Sequence, residues 1–341
     1  MQFLFEYGLF LAQAITIVIA FAAIVIIIVS AASKQKGGSP SGNLELESLS
    51  DSFDDLEEMG KQALLSKDEL KQHLKEEKKT KKKTKTESDT KTNHLFVIDF
   101  NGSPMAKEVE TLRKEITAIL CIAKDNDEVL VKVESGGGVV HGYGLAASQL
   151  QRIKDRGLKL TISIDKIAAS GGYMMACVAD NIIAAPFAIV GSIGVVAQIP
   201  NFNKLLKKND IDYEMHTAGE FKRTLTVFGE NTEEGRSKFQ SELEEVHIMF
   251  KEFVTTNRPS LEIDQVATGE YWYGSKALEK QLVDTLQTSD DFLMKANKSF
   301  KLYTLKYASK KTLAQKLGLA VSDGVENAFT RVLAGLRNWQ L

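Results

Sequence analysis

The 341-residue chain has only two cysteines, Cys121 and Cys177. Each lies inside an apolar segment, so they make neither a disulfide framework nor a metal site, and both read as buried thiols. Charge of one sign is also missing. With 43 basic and 45 acidic residues the net charge is −2 at pH 7, and no global field points to nucleic acid. No fixed-period repeat is present. The glycine turns lack the Lys-Ser/Thr of a phosphate-binding loop and the spacing of a dinucleotide fingerprint, so no cofactor is expected. What remains is a chain with 43% apolar residues, long enough for one large or two ordinary domains plus appendages.

Its longest apolar run is Gly8–Ala32, with Gln13 as the main interruption. That exceeds the ~20 residues a helix needs to cross a bilayer. An acidic flank at Glu6 (residues 1–7) and a long core argue for an uncleaved transmembrane helix over 8–32 rather than a signal peptide. Lys34 and Lys36 follow it, which places the downstream chain in the cytoplasm. Residues 33–93 read as a charged helical or disordered tether. In it, Leu44–Glu77 carries helically spaced Leu46, Leu49, Phe53 and Leu56 on an acidic face, and eight lysines fall between Lys71 and Lys85. Such a run is a solvated spacer, with attraction to anionic lipid as the other reading.

From His94 short apolar runs alternate with helical patterns. Strands are expected at Leu95–Phe100, Glu128–Val133, Leu158–Ile164, Asn181–Ala185 and Val190–Val196, with helices at Met105–Ala123 and Val139–Lys154. Alternation of this kind argues for βαβ units and a largely parallel sheet in an α/β domain over 94–300. Asn181–Gln198 is apolar, but Pro186, Gly191 and Gly194 fit strands and turns better than a membrane span. Further on come a short helix at Asn203–Lys208, a strand at Glu214–Thr217 and a long helix at Glu233–Thr256. Residues 301–341 are expected to add a strand (Leu302–Tyr307) and an amphipathic helix (Thr312–Trp339).

The chemistry centres on Asp165–Asp180, DKIAASGGYMMACVAD. Ser170 sits where small residues lead into two glycines and a short buried helix from Tyr173 to Val178. Free N–H groups and the helix dipole there favour a developing oxyanion, as a nucleophilic serine requires. A plain N-capping serine gives the same pattern. Glu134-Ser135-Gly136-Gly137-Gly138 joins a strand to a helix and would aim backbone N–H groups over the strand end; a plain tight turn is the alternative. Serine needs an adjacent base. Of five histidines, His73 lies in the tether, His94 at the domain edge and His247 in a charged helix. His141 and His216 are nearer the chemistry, and none has an obvious acidic partner. A lysine serves if burial lowers its pKa, and Lys222, after Gly219 and beside Phe221, is the better lysine.

These residues resemble the membrane-anchored serine peptidases of the signal peptide peptidase A and SohB family, from the anchor to about Asp284. ESGGG at Glu134–Gly138 is similar to the family's Ser-Pro-Gly-Gly turn, with Gly136 where proline is usual. AASGGYMMACVAD matches the nucleophile segment, GSIGV at Gly191–Val195 is family-like, and GEFKR carries the family's lysine. YWYGSKALEKQLVD resembles the closing motif, with Gln281 where glycine is usual. The resemblance implies a spiral β-sheet domain with flanking helices, like Clp protease and crotonase, in homo-oligomers that enclose the active sites. It implies Ser170 as nucleophile, Lys222 as general base, the N–H groups of Gly137 and Gly171 as oxyanion hole, and Ser192 as hydrogen-bond partner of Lys222, with no metal or nucleotide. The reaction expected is serine endopeptidase hydrolysis of peptides or of membrane-protein and signal-peptide remnants at a bacterial inner membrane. The resemblance puts the domain on the outer face, against the two flanking lysines. Three other readings compete. A crotonase-type acyl-CoA enzyme shares the glycine-helix-Asp segment but needs no anchor. A Ser-His-Asp peptidase of the Clp type requires a histidine within Gly191–Ile199, where there is none. A catalytically inactive membrane scaffold would be indifferent to Ser170 and Lys222.

Overall fold

The computed structural model describes residues 42–66, 68–70 and 93–308, with Gly8, Gln13 and Thr16 as isolated positions. The transmembrane helix expected at 8–32, the lysine-rich half of the tether and the helix expected at 312–339 lie outside the described residues. Among the described residues no helix is long and apolar enough to cross a membrane. Residues 45–307 form one compact unit.

In chain order, β1 (Asn43–Ser48) and α1 (Leu49–Leu64) precede β2 (His94–Asn101), α2 (Val109–Ile122), β3 (Glu128–Glu134), α3 (Val140–Asp155) and β4 (Lys159–Ile164). Next are β5 (Ile167–Ala169), α4 (Gly171–Ala176), β6 (Asn181–Ala184), β7 (Ile189–Gly191) and α5 (Asn203–Lys208). The chain closes with α6 (Glu233–Asn257), α7 (Ile263–Val266), β8 (Tyr271–Tyr273), α8 (Gly274–Glu279), β9 (Thr285–Leu286), α9 (Ser289–Ala296) and β10 (Lys301–Ala308).

Seven strands form one sheet in the order β1-β10-β2-β3-β4-β6-β9. Every pairing from β10 across to β9 is parallel. A parallel sheet is covered on both faces, which is why its strands read as nearly unbroken apolar runs. The period of two then sorts the side chains. Phe96, Ile98 and Phe100 of β2 and Val129, Val131 and Val133 of β3 enter the main core; Leu95, Val97 and Leu130 enter a smaller one with Leu293 and Leu302. On the main side α2 contributes Leu112, Ile116 and Ile119, a helical stripe, and α3 contributes Ala146, Ala147, Leu150 and Ile153. Cys121 lies two residues past Ile119, about 200° around the helix, and is exposed. The expectation of two buried thiols therefore holds for Cys177 alone.

The smaller core reaches into the stretch read as tether. Leu49 and Phe53 of α1 pack against it. Ser50 Oγ donates to Asn297 Oδ1 at 2.6 Å and accepts from the Leu302 N–H at 3.0 Å. The helical spacing read here is borne out by α1, but strong acidity hid the strand before it and the packing of the helix: of the apolar positions there, only Leu49 and Phe53 face the core, and Leu56 is exposed. At the other end, β10 lies between β1 and β2, so the sheet runs through the boundary drawn at residue 300.

A second sheet, β5-β7-β8, is parallel between β5 and β7 and antiparallel between β7 and β8. A single parallel bridge from Ser135 to Ala168 ties it to the end of β3. The strand expected at Glu214–Thr217 does not form. Residues 197–230 hold only α5 and turns, and those four residues are exposed and pair with no strand among the described residues.

Candidate active site

β3 and β5 both stop where the bridge joins them, and each hands over to a glycine turn. This is the carboxyl end of parallel strands, where open α/β sheets place their ligand crevices. Ser170 follows β5 at φ 51°, ψ −118°. A side-chain-bearing residue in that region costs about 1–3 kcal/mol and persists only when its surroundings fix it. Three backbone bonds do so. The Ser170 N–H donates to Gly191 O at 2.8 Å, the Met174 N–H donates to Ser170 O at 2.9 Å, and the Ala169 N–H donates to Ser135 O at 3.0 Å.

The glycines around Ser170 are set by close approach. A Cβ on Gly137, which has φ +86°, would lie 2.6 Å from the Gly171 nitrogen and 2.8 Å from Ser170 Cβ. A Cβ on Gly171 would collide with Tyr143 Cγ and sit 2.7 Å from its Cδ2. The two turns thus touch backbone to backbone, with the fully buried Tyr143 ring wedged beneath. Its hydroxyl donates to Ser103 O at 2.9 Å and lies 2.5 Å from Ser135 Oγ. Ser135 Oγ in turn donates to Gly102 O at 3.2 Å and accepts from the Gly137 N–H at 3.1 Å. Burial raises the Tyr143 pKa, with the Ser135 hydrogen bond working the other way, so the phenol stays protonated and keeps its donor.

These elements frame a cleft of about 890 Å³ lined by Gly137, Ser170, Gly171, Ser192, His247 and Thr268, with apolar walls that include Met105, Val196 and Phe250. Of the two expected oxyanion donors, the Gly171 N–H opens α4 and has no intrahelical acceptor, while the Gly137 N–H is lent to Ser135. Ser192, also at φ 51°, is held by its N–H on Glu270 O at 2.7 Å.

Lys222 is not among the lining residues. It lies on an exposed turn whose N–H donates to Gly219 O at 3.2 Å. Among the described residues, the hydrogen bond expected between Ser192 and Lys222 does not form. The run that carries Lys222, residues 197–230, is instead tied to itself, with the Phe202 N–H on Val227 O at 2.7 Å and Asn201 Nδ2 on Thr226 O at 2.9 Å. His141 and His216 are exposed as well. His247 is the histidine that reaches the cleft; the charged sequence of α6 concealed that Val246, His247 and Phe250 share one face. Tyr143 was missed likewise, as an ordinary apolar helix position.

α6 is anchored behind the site. Phe250 and Val254 are buried, and the next turn ends in Arg258, whose guanidinium grips Asp284 at 2.9 and 2.7 Å and Gln281 O at 3.0 Å. Burial works against the Asp284 carboxylate, but Arg258 and the Ile182 N–H outweigh it and hold its pKa below the usual range. Tyr173 of α4 donates to Leu282 O at 3.0 Å, which joins this closing motif to the site. Gln281 has φ 61°, so the usual glycine there answers a left-handed backbone position.

Residues 2–150 match the family described as Peptidase family S49 N-terminal, and residues 152–303 match Peptidase family S49. The chain is 49% identical over 336 residues to a probable protease SohB of Haemophilus influenzae, covering 95% of each. It is also 49% identical over 334 residues to a probable protease SohB of Buchnera aphidicola subsp. Acyrthosiphon pisum, covering 97% of this chain and 98% of that one. Among solved structures it is similar to a 1510-N membrane-bound stomatin-specific protease, a lysine-to-alanine mutant in complex with a substrate peptide. That likeness has 13% identity and a TM-score of 0.42, over 68% of this chain and 99% of the other. With family matches that run across most of its length, the chain belongs to Peptidase family S49 and is a peptidase.

Proposed function

We propose that the chain is a membrane-bound serine endopeptidase that cuts peptides, including membrane-protein and signal-peptide remnants, through an acyl-enzyme on Ser170. The observation that carries this reading is the strained Ser170 turn, pinned against Gly137 and opening on the cleft. Ser170 Oγ attacks the scissile carbonyl carbon as its proton passes to the Lys222 amine. The carbonyl oxygen becomes an oxyanion facing the Gly171 and Gly137 N–H groups. A charge-assisted bond from Gly137 is stronger than its 3.1 Å bond to a neutral hydroxyl, so the donor is available when charge develops. The C–N bond breaks and the amine leaves with the proton from Lys222. Water, deprotonated by the same lysine, then releases the acyl group and restores Ser170.

Lys222 reaches the cleft on this reading when copies of the chain assemble. Supporting that, Phe202, Leu205, Phe221 and Phe228 of the segment 197–230 are all exposed, an apolar surface suited to a second copy. Ser192 then hydrogen-bonds the incoming Lys222. The two sheets joined at Ser135–Ala168 support a spiral domain of the Clp and crotonase type. Residues 8–32 span the bacterial inner membrane once. A compartment-sensitive reporter fused after Leu341 separates the inward placement expected from Lys34 and Lys36 from the outward one implied by family resemblance.

The test is casein cleavage by the full chain in detergent, with Ser170→Ala and Lys222→Ala checked for unchanged folding and assembly. Loss in both variants is expected. Loss with Ser170→Ala alone would assign the base elsewhere, and retention with Ser170→Ala would overturn the reading.

A further inference from the structure

We infer that His247 is a substrate-contact residue whose Nε2 hydrogen-bonds a main-chain amide of the peptide in the Ser170 cleft; this rests on the peptidase reading of that cleft. His247 is half-buried on α6, and its Nε2 is shut off from solvent without a hydrogen-bond partner. A buried polar nitrogen left unpaired is costly, and native chains seldom keep one without use. It is also the one imidazole, amine or carboxylate among the residues lining the cleft. Around it the walls are apolar: Val139, Met174, Val195, Val196 and Val246. A peptide entering such walls loses water from its amides and needs polar partners placed there. Ser170 and the glycine turns serve the scissile carbonyl. His247 serves a neighbouring amide once its ring turns about the Cβ–Cγ bond to bring Nε2 out to the cleft, and the ring takes either tautomer because Nδ1 has no bond of its own among the described residues.

His247→Ala, His247→Phe and His247→Gln in the full chain test this, using a quenched fluorogenic peptide that spans a casein site cut by wild type. Loss of one neutral hydrogen bond should lower kcat/KM about 3- to 10-fold in the Ala and Phe variants, carried by KM. His247→Gln, which keeps a hydrogen-bonding end, should stay within about threefold of wild type. A fluorescein-labelled form of the peptide should bind Ser170→Ala/His247→Phe more weakly than Ser170→Ala by the same factor. Phe also removes the unpaired nitrogen, so the His247→Phe thermal midpoint should rise while binding falls. Unchanged KM in all three variants overturns the inference. So does a loss confined to kcat, which would make His247 the base, or an equal loss in all three with lowered midpoints, which would make it a packing residue. Ser170→Ala alone tests the reading beneath: if it still cleaves, that reading fails, whatever His247 does.

Discussion

Gly171→Ala is a one-methyl test of the site's architecture. Gly171 has an ordinary helical φ, so the added methyl strains no backbone, but it lands on the Tyr143 ring, 2.7 Å from Cδ2 and 2.8 Å from Cβ. That ring has no exposure and cannot swing into solvent. Overpacking of this kind costs about 1–3 kcal/mol, which for a unit of this size lowers the thermal midpoint by roughly 3–10 °C. The effect on rate is larger. Displacing Tyr143 stretches its 2.5 Å contact with Ser135, which in turn holds the Gly137 N–H. A shift approaching 1 Å at reacting groups costs on the order of 100-fold in rate. Gly144→Ala, one position beyond Tyr143 on α3, is the control. Its Cβ would meet nothing within 4 Å, so the helix should gain up to about 1 kcal/mol with activity intact. Casein cleavage and thermal melts of both variants decide the matter. Wild-type activity in Gly171→Ala, or equal damage from Gly144→Ala, would refute the account of two turns locked through Tyr143.

Asp284→Asn leaves the Arg258 charge, whose side chain is 10% exposed, without its partner. A loss of about 2–3 kcal/mol is expected once the partial solvation of Asp284 is discounted. Because the folded-state pKa of Asp284 lies below 3.8, the carboxylate adds stability above that value and loses it as pH falls through the folded pKa. Denaturant melts of Asp284→Asn should therefore show a weaker acid dependence than wild type. A thiol reagent should label Cys121 in the native protein and reach Cys177 only after unfolding, since burial pushes Cys177 up to about 12. A chain starting at residue 93 should be about 3–4 kcal/mol less stable than one starting at residue 43, and more prone to associate. It loses Leu49, Phe53 and both Ser50 hydrogen bonds, and leaves β10 as an unpaired edge. Equal denaturant midpoints would return residues 43–64 to the tether.

The parallel core was legible because its strands announce themselves. Leu95–Phe100 and Glu128–Val133 lie within β2 and β3, and Asn203–Lys208 matches α5 at both ends. The glycine turns after β3 and around Ser170 were legible because close backbone approach restricts residue type along a short stretch. Three other features were not. β1 and the docking of α1 lie in acidic sequence whose partners, Asn297 and Leu302, come some 250 residues later, and local composition cannot report them. His247 and Tyr143 owe their roles to what their helices face, which spacing alone does not reveal. Glu214–Thr217 has strand-like residues, but a strand needs a neighbour, and among the described residues none pairs with it.

The central claim is that Ser170 forms the acyl-enzyme. Intact-mass spectrometry during turnover of an activated peptide ester tests it most directly. The account predicts a transient mass gain equal to the acyl group, located on the Ser170 peptide after digestion and absent from Ser170→Ala. Turnover with no adduct, or with the acyl group on another residue, would contradict it.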